Sequence, residues 1–361
     1  MRHAMIMAGG SGTRLWPLST RDVPKQLAPL VDGRSLLELA YERVVDVVGS
    51  ERVWICAGEA HREAILAQLT GVSGERYLGE PVGRDTVNAV GFGASVIGAQ
   101  DPDAVVAVLT ADQLITPTER FHACLEEAFA VAEGGVDRLV TFSIAPTHAA
   151  TGYGYIQRGE MLDGFERAYG VHAYVEKPDR ATAEEYVASG RYSWNSGMFV
   201  WRAEVLMRAI ETFAPDHHDR LREIGASWGG GSGREVLERV YPELPRISVD
   251  YAVMEPASRD DRFEVCTVVA DVEWRDVGSW ESLAEIMDAD GDGNRVAPGT
   301  RAELLACGGS FVMSSTDDHL IALLGVEDLV VVRTERATLV MHKDRAEELK
   351  RLHAEVDDAF R

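Results

Sequence analysis

Cysteine is scarce in this sequence. Only 4 of its 361 residues are Cys, and Cys56, Cys124, Cys266 and Cys307 stand far apart, with no CxxC pair. That excludes a disulfide framework and a cysteine zinc site; the four thiols read as small core hydrophobes. No stretch approaches the roughly 18 uninterrupted apolar residues that cross a bilayer. The apolar N-terminal run is cut by Gly9-Gly10 before it reaches the length of a signal-peptide core. A cytoplasmic location is the expectation. Basic side chains are outnumbered, 36 Lys and Arg against 59 Asp and Glu, for a net charge of −23. Such a chain lacks the basic surface that coats nucleic acid or adheres to anionic lipid, so neither is expected as a partner. Two phosphate-binding signatures are also missing. GxxxxGK[ST] does not occur, and GxGxxG fails because Leu15 stands at its third glycine.

What is present is an alternation of apolar runs and helical patterns. Ala4–Ala8, Val53–Ala57, Ala104–Leu109 and Leu139–Ile144 read as buried strands. Ser35-Leu36-Leu37-Glu38 and Thr116-Pro117-Thr118-Glu119 read as capping boxes opening helices, the second with Pro at the first helical position. Asp85 reads as the N-cap of another helix, and Thr182 opens one that runs to Ser189. Further strands are expected at 152–156, 171–175 and 198–201. This repetition predicts an α/β fold with a mostly parallel sheet covered on both faces, and ligands beyond the carboxyl ends of its strands. Gly229-Gly230-Gly231-Ser232-Gly233 follows no strand and reads as a surface loop. After Asp290 the pattern changes to short alternating runs and a last helix carrying Leu349, Leu352 and Val356. The expected division is a domain over 1–289 and a small β-rich domain ending in a helix over 290–361.

The first strand runs directly into Gly9-Gly10-Ser11-Gly12-Thr13-Arg14-Leu15-Trp16-Pro17, with Pro24-Lys25-Gln26 shortly after. Glycines here let the backbone approach a ligand and aim N–H groups at it. Arg14 and Lys25 would then meet phosphate charge from two directions. Residues 1–40 carry a net +2 in a chain of −23, which suits a small polyanion.

This stretch resembles the signature of sugar-nucleotide pyrophosphorylases, and its wording is most similar to the bacterial mannose-1-phosphate guanylyltransferases. The resemblance continues in family order through Glu80-Pro81-Val82-Gly83-Arg84-Asp85-Thr86, Thr110-Ala111-Asp112, Gly152-Tyr153-Gly154, Glu176-Lys177-Pro178, Trp194-Asn195-Ser196-Gly197, Ser248-Val249-Asp250-Tyr251 and Asp276-Val277-Gly278. It covers about residues 3–345. It implies a Rossmann-like nucleotidyltransferase domain followed by the small β-rich domain. The implied reaction joins GTP and mannose 1-phosphate into GDP-mannose and pyrophosphate. The nucleophile is already ionised at pH 7, so alignment and charge neutralisation should suffice without a Ser, Cys or His base.

By resemblance, Arg14 and Lys25 are the catalytic cations. Gly9, Gly10, Ser11, Gly12, Thr13, Glu80, Arg84, Asp85 and Asp112 bind nucleotide, and Asp112 and Asp276 hold Mg²⁺. Gly152, Tyr153, Gly154, Glu176, Lys177 and Asn195 take the sugar phosphate. Read without the family, Asp112 would serve as a loop cap and Asp276 as a helix N-cap. Glu80 favours guanine, whose N1–H and amino group offer two adjacent donors to one carboxylate. Two positions depart from the family wording: Gln113 stands for the usual His, and Asp85 for the usual Asn. Trp194, Phe199, Trp201 and Trp274 read as core or pocket wall. A homodimer is a further expectation, and isomerase activity is not expected. The competing readings are the same chemistry with another sugar phosphate or base, and a regulatory homologue without activity.

Overall fold

The structure is a computed structural model that describes every residue except Ser11 and Asp22, and the Glu347 side chain. The chain divides into two compact units, each discontinuous in sequence. The first comprises Met1–Gly9, Ala40–Ala111 and Ile115–Trp274; the second comprises Gly10–Leu39, Asp112–Leu114 and Arg275–Arg361. A single cut near residue 290 was expected. The physical reason for the difference is a shared core. Leu15, Trp16 and Leu30 from the N-terminal stretch are buried in one cluster with Trp280, Phe311, Val330 and Leu349.

Unit one is built on nine strands: β1 (Arg2–Met7), β2 (Val53–Gly58), β3 (Tyr77–Glu80), β4 (Val105–Thr110), β5 (Arg138–Ile144), β6 (Tyr155–Met161), β7 (Ala168–Val175), β8 (Tyr192–Arg202) and β9 (Glu264–Val269). Their order is β3-β2-β1-β4-β8-β5-β9-β7-β6, with β6 also meeting β8. β3, β2, β1 and β4 pair in parallel, as do β5 and β9. β8 is antiparallel to both β4 and β5, so the sheet is mixed. β6 and β7 are antiparallel because the short link between them cannot carry a parallel crossover.

The helices α1 (Thr86–Gln100) and α2 (Thr118–Gly134) illustrate how the sheet is covered. Val87, Val90 and Phe92 of α1 share a core with Val106 and Val108 of β4. Phe121 of α2 instead meets Phe142 of β5, with ring centroids 6.0 Å apart. Expected helix starts fared unevenly. Asp85 caps α1, accepting from Thr86 N at 2.8 Å. The box expected at Thr116–Glu119 is not formed: Pro117 is the N-cap, and the Thr116 hydroxyl reaches Glu273 instead. In the next helix Asp179, not Thr182, supplies the cap, accepting from Thr182 N at 2.8 Å. Gly152-Tyr153-Gly154 lies in a loop, and its strand begins at Tyr155.

Unit two contains the Ser35–Glu38 capping box, with both reciprocal bonds made, at 2.8 and 3.1 Å. Its C-terminal part holds β10 (Arg295–Val296), β11 (Arg301–Leu305), β12 (Phe311–Ser314), β13 (Leu320–Leu324), β14 (Leu329–Arg333) and β15 (Thr338–His342). β10, β12 and β14 stack in parallel, as do β11 and β13, so one coil of chain lies on the next. β15 closes the stack antiparallel to β14, and the helix Leu349–Glu355 follows. No helix among the described residues is long and apolar enough to cross a membrane.

Candidate functional site

In unit two, the signature loop leads into a short 3₁₀ turn at Thr13–Leu15. Gly12, just before it, sits at φ +58°, and a Cβ there would collide with the Ser19 hydroxyl, so glycine is required on both counts. The N–H groups of Gly10, Gly12 and Thr13 form no backbone bonds among the described residues. Ser11, expected in the same set, lies outside the described residues.

Lys25 opens the next 3₁₀ turn, after Pro24, and its side chain is only 9% exposed. The ammonium donates to Asp112 Oδ2 at 2.9 Å and to the Val277 carbonyl at 3.3 Å. A backbone bond from Val277 N to Asp112 O, 2.9 Å, ties the two carboxylate-bearing segments together. Asp276 is therefore beside Asp112. Burial and the Asp112 charge push the Asp276 carboxyl up to about 6, while Lys25 and Arg14 act the other way. Asp276 does not cap the following helix, because Ser279 does, accepting from Ser282 N at 3.2 Å. Nor is Asp112 a loop cap, its carboxylate being taken by Lys25. Among the described residues no donor reaches the Asp276 carboxylate, and no cluster of three or more metal-binding side chains occurs. Two adjacent carboxylates, one without a donor and raised by like charge, fit a Mg²⁺ ion that takes its remaining ligands from water and phosphate.

Unit one carries the other expected residues. Glu80 ends β3. Its Oε1 accepts from the Tyr241 hydroxyl at 2.6 Å, and its Oε2 lies 3.9 Å from where a Cβ on Gly9 would stand. Burial raises the Glu80 carboxyl above its ordinary range, and the Tyr241 bond opposes the shift. Two expected nucleotide residues have structural employment. Arg84 donates to the Pro242 carbonyl, and Asp85 caps its own helix from φ +72°.

The third group surrounds Glu176, just past β7 and 8% exposed. Lys177 Nζ is 2.9 Å from Glu176 Oε1. A Cβ on Gly154 would lie 2.5 Å from Glu176 Oε2 and 3.3 Å from Asn195 Cβ, so glycine leaves room for the carboxylate. Asn195 is expected to meet a ligand, yet its amide is spent internally. Nδ2 donates to the Tyr174 hydroxyl at 2.5 Å and to Asp250 Oδ1 at 2.9 Å, while Oδ1 accepts from Thr141 Oγ1 at 2.7 Å. Tyr174 also donates to Asp250 Oδ1 at 2.5 Å. Sequence reasoning gave Asp250 no site role, although it lies in the Ser248–Tyr251 motif. Tyr153 packs edge-on against Trp194 and Trp274, with centroids 5.2 and 5.3 Å apart.

The family model for nucleotidyl transferases matches residues 3–293, and that of the MannoseP isomerase/GMP-like beta-helix domain matches 308–355. The xanthan biosynthesis protein XanB of Xanthomonas campestris pv. campestris is 38% identical over 99% of this chain and 73% of its own length. The mannose-1-phosphate guanylyltransferase of Klebsiella pneumoniae is 38% identical over 96% of this chain and 72% of its own. Among solved structures, one from Thermus thermophilus described as a mannose-1-phosphate geranyltransferase superposes with a TM-score of 0.85. It is 34% identical, and the match covers 98% of both chains.

Proposed function

The chain belongs to the nucleotidyl transferase family, and from that premise we propose that it makes GDP-mannose and pyrophosphate from GTP and mannose 1-phosphate. The observation that carries this reading is the Lys25–Asp112–Asp276 cluster. A buried lysine locked between a carboxylate and a carbonyl is an unusual expense in a protein core. It makes sense where a triphosphate must be held and a departing pyrophosphate stabilised.

A phosphate oxygen of the sugar 1-phosphate attacks the α-phosphorus in line. The new P–O bond forms as the bond to the pyrophosphate oxygen breaks. Lys25 and Arg14 neutralise the charge that accumulates on the leaving group, and the N–H groups of the glycine loop hold the phosphates in register. Asp112 and Asp276 would hold Mg²⁺. When bound, that ion supplies charge neutralisation at the phosphate oxygens. The free oxygen of Glu80 accepts from guanine, with Tyr241 fixing the carboxylate's orientation. Glu176 accepts sugar hydroxyls, and Lys177 meets the sugar's phosphate.

The test is pyrophosphate release with Mg²⁺, mannose 1-phosphate and GTP, ATP, UTP or dTTP in parallel. Release with GTP alone is expected. Release with another nucleotide would keep the chemistry and overturn the assignment of the base. Silence with all four, and with glucose and heptose 1-phosphates, would favour a homologue that binds without reacting.

A further inference from the structure

The helix Gly233–Val240 gives way to a 3₁₀ turn, Tyr241–Glu243, and the chain then runs on to Pro245. Pro242 and Pro245 have no N–H, so their backbone can offer neighbours only a carbonyl. Both carbonyls are taken by residues that follow β3. Arg84 donates to the Pro242 carbonyl, and Asn88 Nδ2 donates to the Pro245 carbonyl at 2.8 Å. The same Asn88 amide donates to the Arg84 carbonyl at 2.6 Å, which ties the two holds together. Tyr241 sits at the head of this anchored segment. Its ring is fully buried, with the Phe92 ring of α1 5.8 Å away between centroids. Its hydroxyl donates to Glu80 Oε1 at 2.6 Å.

The last torsion of a glutamate is soft, so an unheld carboxylate turns easily about it. Here turning would break a hydrogen bond between a buried hydroxyl and a charged acceptor, one of the stronger kinds a protein makes. With Oε1 held by Tyr241, Oε2 stays on the side of Gly9, the first residue of the glycine loop. An ionised carboxylate has about four acceptor sites. Tyr241 uses one of them, and both oxygens can still accept.

We propose that Tyr241 is a positioning residue for the choice of base: its hydroxyl holds the plane of the Glu80 carboxylate so that the N1–H and 2-amino donors of guanine are met together. The inference rests on the proposed function, in which Glu80 reads the base. Tyr241 acts through Glu80 and does not meet the nucleotide. A phenylalanine in its place keeps the ring and its packing and releases the carboxylate. A turning carboxylate still accepts one hydrogen bond from a base, but it meets two adjacent donors for only part of the time. The 2-amino group is therefore the part of guanine that Tyr241 makes count, and hypoxanthine, which lacks it, isolates the effect.

The experiment measures kcat/KM for GTP and for inosine triphosphate, with mannose 1-phosphate and Mg²⁺, in the parent, Y241F, E80A and the double variant. The parent should prefer GTP by roughly tenfold or more. Y241F should lose roughly three- to tenfold of that preference, through a KM for GTP that rises more than the KM for mannose 1-phosphate. E80A should lose the preference as well, and adding Y241F to E80A should move the ratio no further. A tyrosine with a merely structural role would weaken both nucleotides alike and leave their ratio unchanged. A ratio in Y241F equal to the parent's, or a further fall in the double variant, overturns the proposal. Should Y241F fail to fold, Y241M keeps the apolar bulk without the donor and is read in the same way. No turnover of either nucleotide by the parent, or no preference in it, would overturn the proposed function or its assignment of the base, and this inference with it. The same holds for an E80A variant that keeps the parent's ratio. A ratio that E80A lowers and Y241F does not overturns only the inference.

Discussion

At the scale of single residues, the cost of burying a charge singles out the groups to which the proposed reaction assigns chemistry. Lys25 has two internal partners and little contact with water. Lys25→Ala leaves Asp112 and Asp276 adjacent without a cation, and kcat should fall by roughly 10²-fold or more. Asp276→Ala should do the same while thermal melting stays close to that of the parent; a near-normal kcat in either variant would remove that residue from the reaction. Glu80→Gln keeps an acceptor for Tyr241 but replaces a carboxylate oxygen by an amide, so the ratio of kcat/KM for GTP over UTP should drop. Steady-state kinetics with the two nucleotides checks this. The sequence makes Lys25, Asp112, Asp276, Glu80 and Glu176 visible through motifs that resemble those of the pyrophosphorylases; read without that resemblance, Asp112 and Asp276 pass for caps. It does not reveal how a side chain's hydrogen-bonding capacity is spent. Asn195 and Asp85 are polar and in the right motifs, yet one is consumed by Asp250 and Tyr174 and the other by a helix end. Asp250 escapes notice for the complementary reason: its partners are far away in sequence.

At the scale of elements, glycines report how closely two pieces of backbone approach. Gly225, in the helix Pro215–Ser227, would place a Cβ 2.6 Å from the Ser95 carbonyl oxygen of α1. Backbone cannot step aside as a side chain can. Gly225→Ala should therefore lose about 1–3 kcal/mol, read as a lower urea midpoint, with kcat per folded molecule unchanged. Gly154→Ala presses instead on the Glu176 carboxylate, and should raise KM for mannose 1-phosphate more than KM for GTP. The buried strands and the Ser35 box are legible because period and capping chemistry are local. Partnership is not. A strand pattern has the same period whether its neighbour is parallel or antiparallel, so the reversal of β8 and the parallel coils β10–β14 carry no local sign. Thr116–Glu119 shows a capping motif overruled by a tertiary bond to Glu273.

At the scale of the whole molecule, the buried carboxylates tie stability to pH. Glu176 has a folded-state pKa of about 7 against an ordinary 4.5. Below pH 4.5 both states hold the proton and its contribution is complete; as pH rises toward 7 the unfolded chain ionises first, and that stability is lost. E176Q lacks this loss. Its melting temperature relative to the parent should therefore climb between pH 5 and pH 8, a gap that differential scanning fluorimetry at both pH values would measure. With a net charge of −23, the chain also repels itself, and moderate salt should raise the parent's melting temperature.

The Trp16 indole donates to the Phe360 carbonyl at 2.7 Å, and the Trp280 indole donates to the Trp16 carbonyl at 3.0 Å. A ribosome delivers residues in order, at about 5–20 per second. The glycine loop and Trp16 leave the tunnel well before their partners around Trp280 and Phe360, which follow only after roughly tens of seconds. During that interval Leu15 and Trp16 have no core to enter, and a chaperone or a second nascent chain could engage them. The glycine-loop stretch is thus synthesised long before the core that completes it.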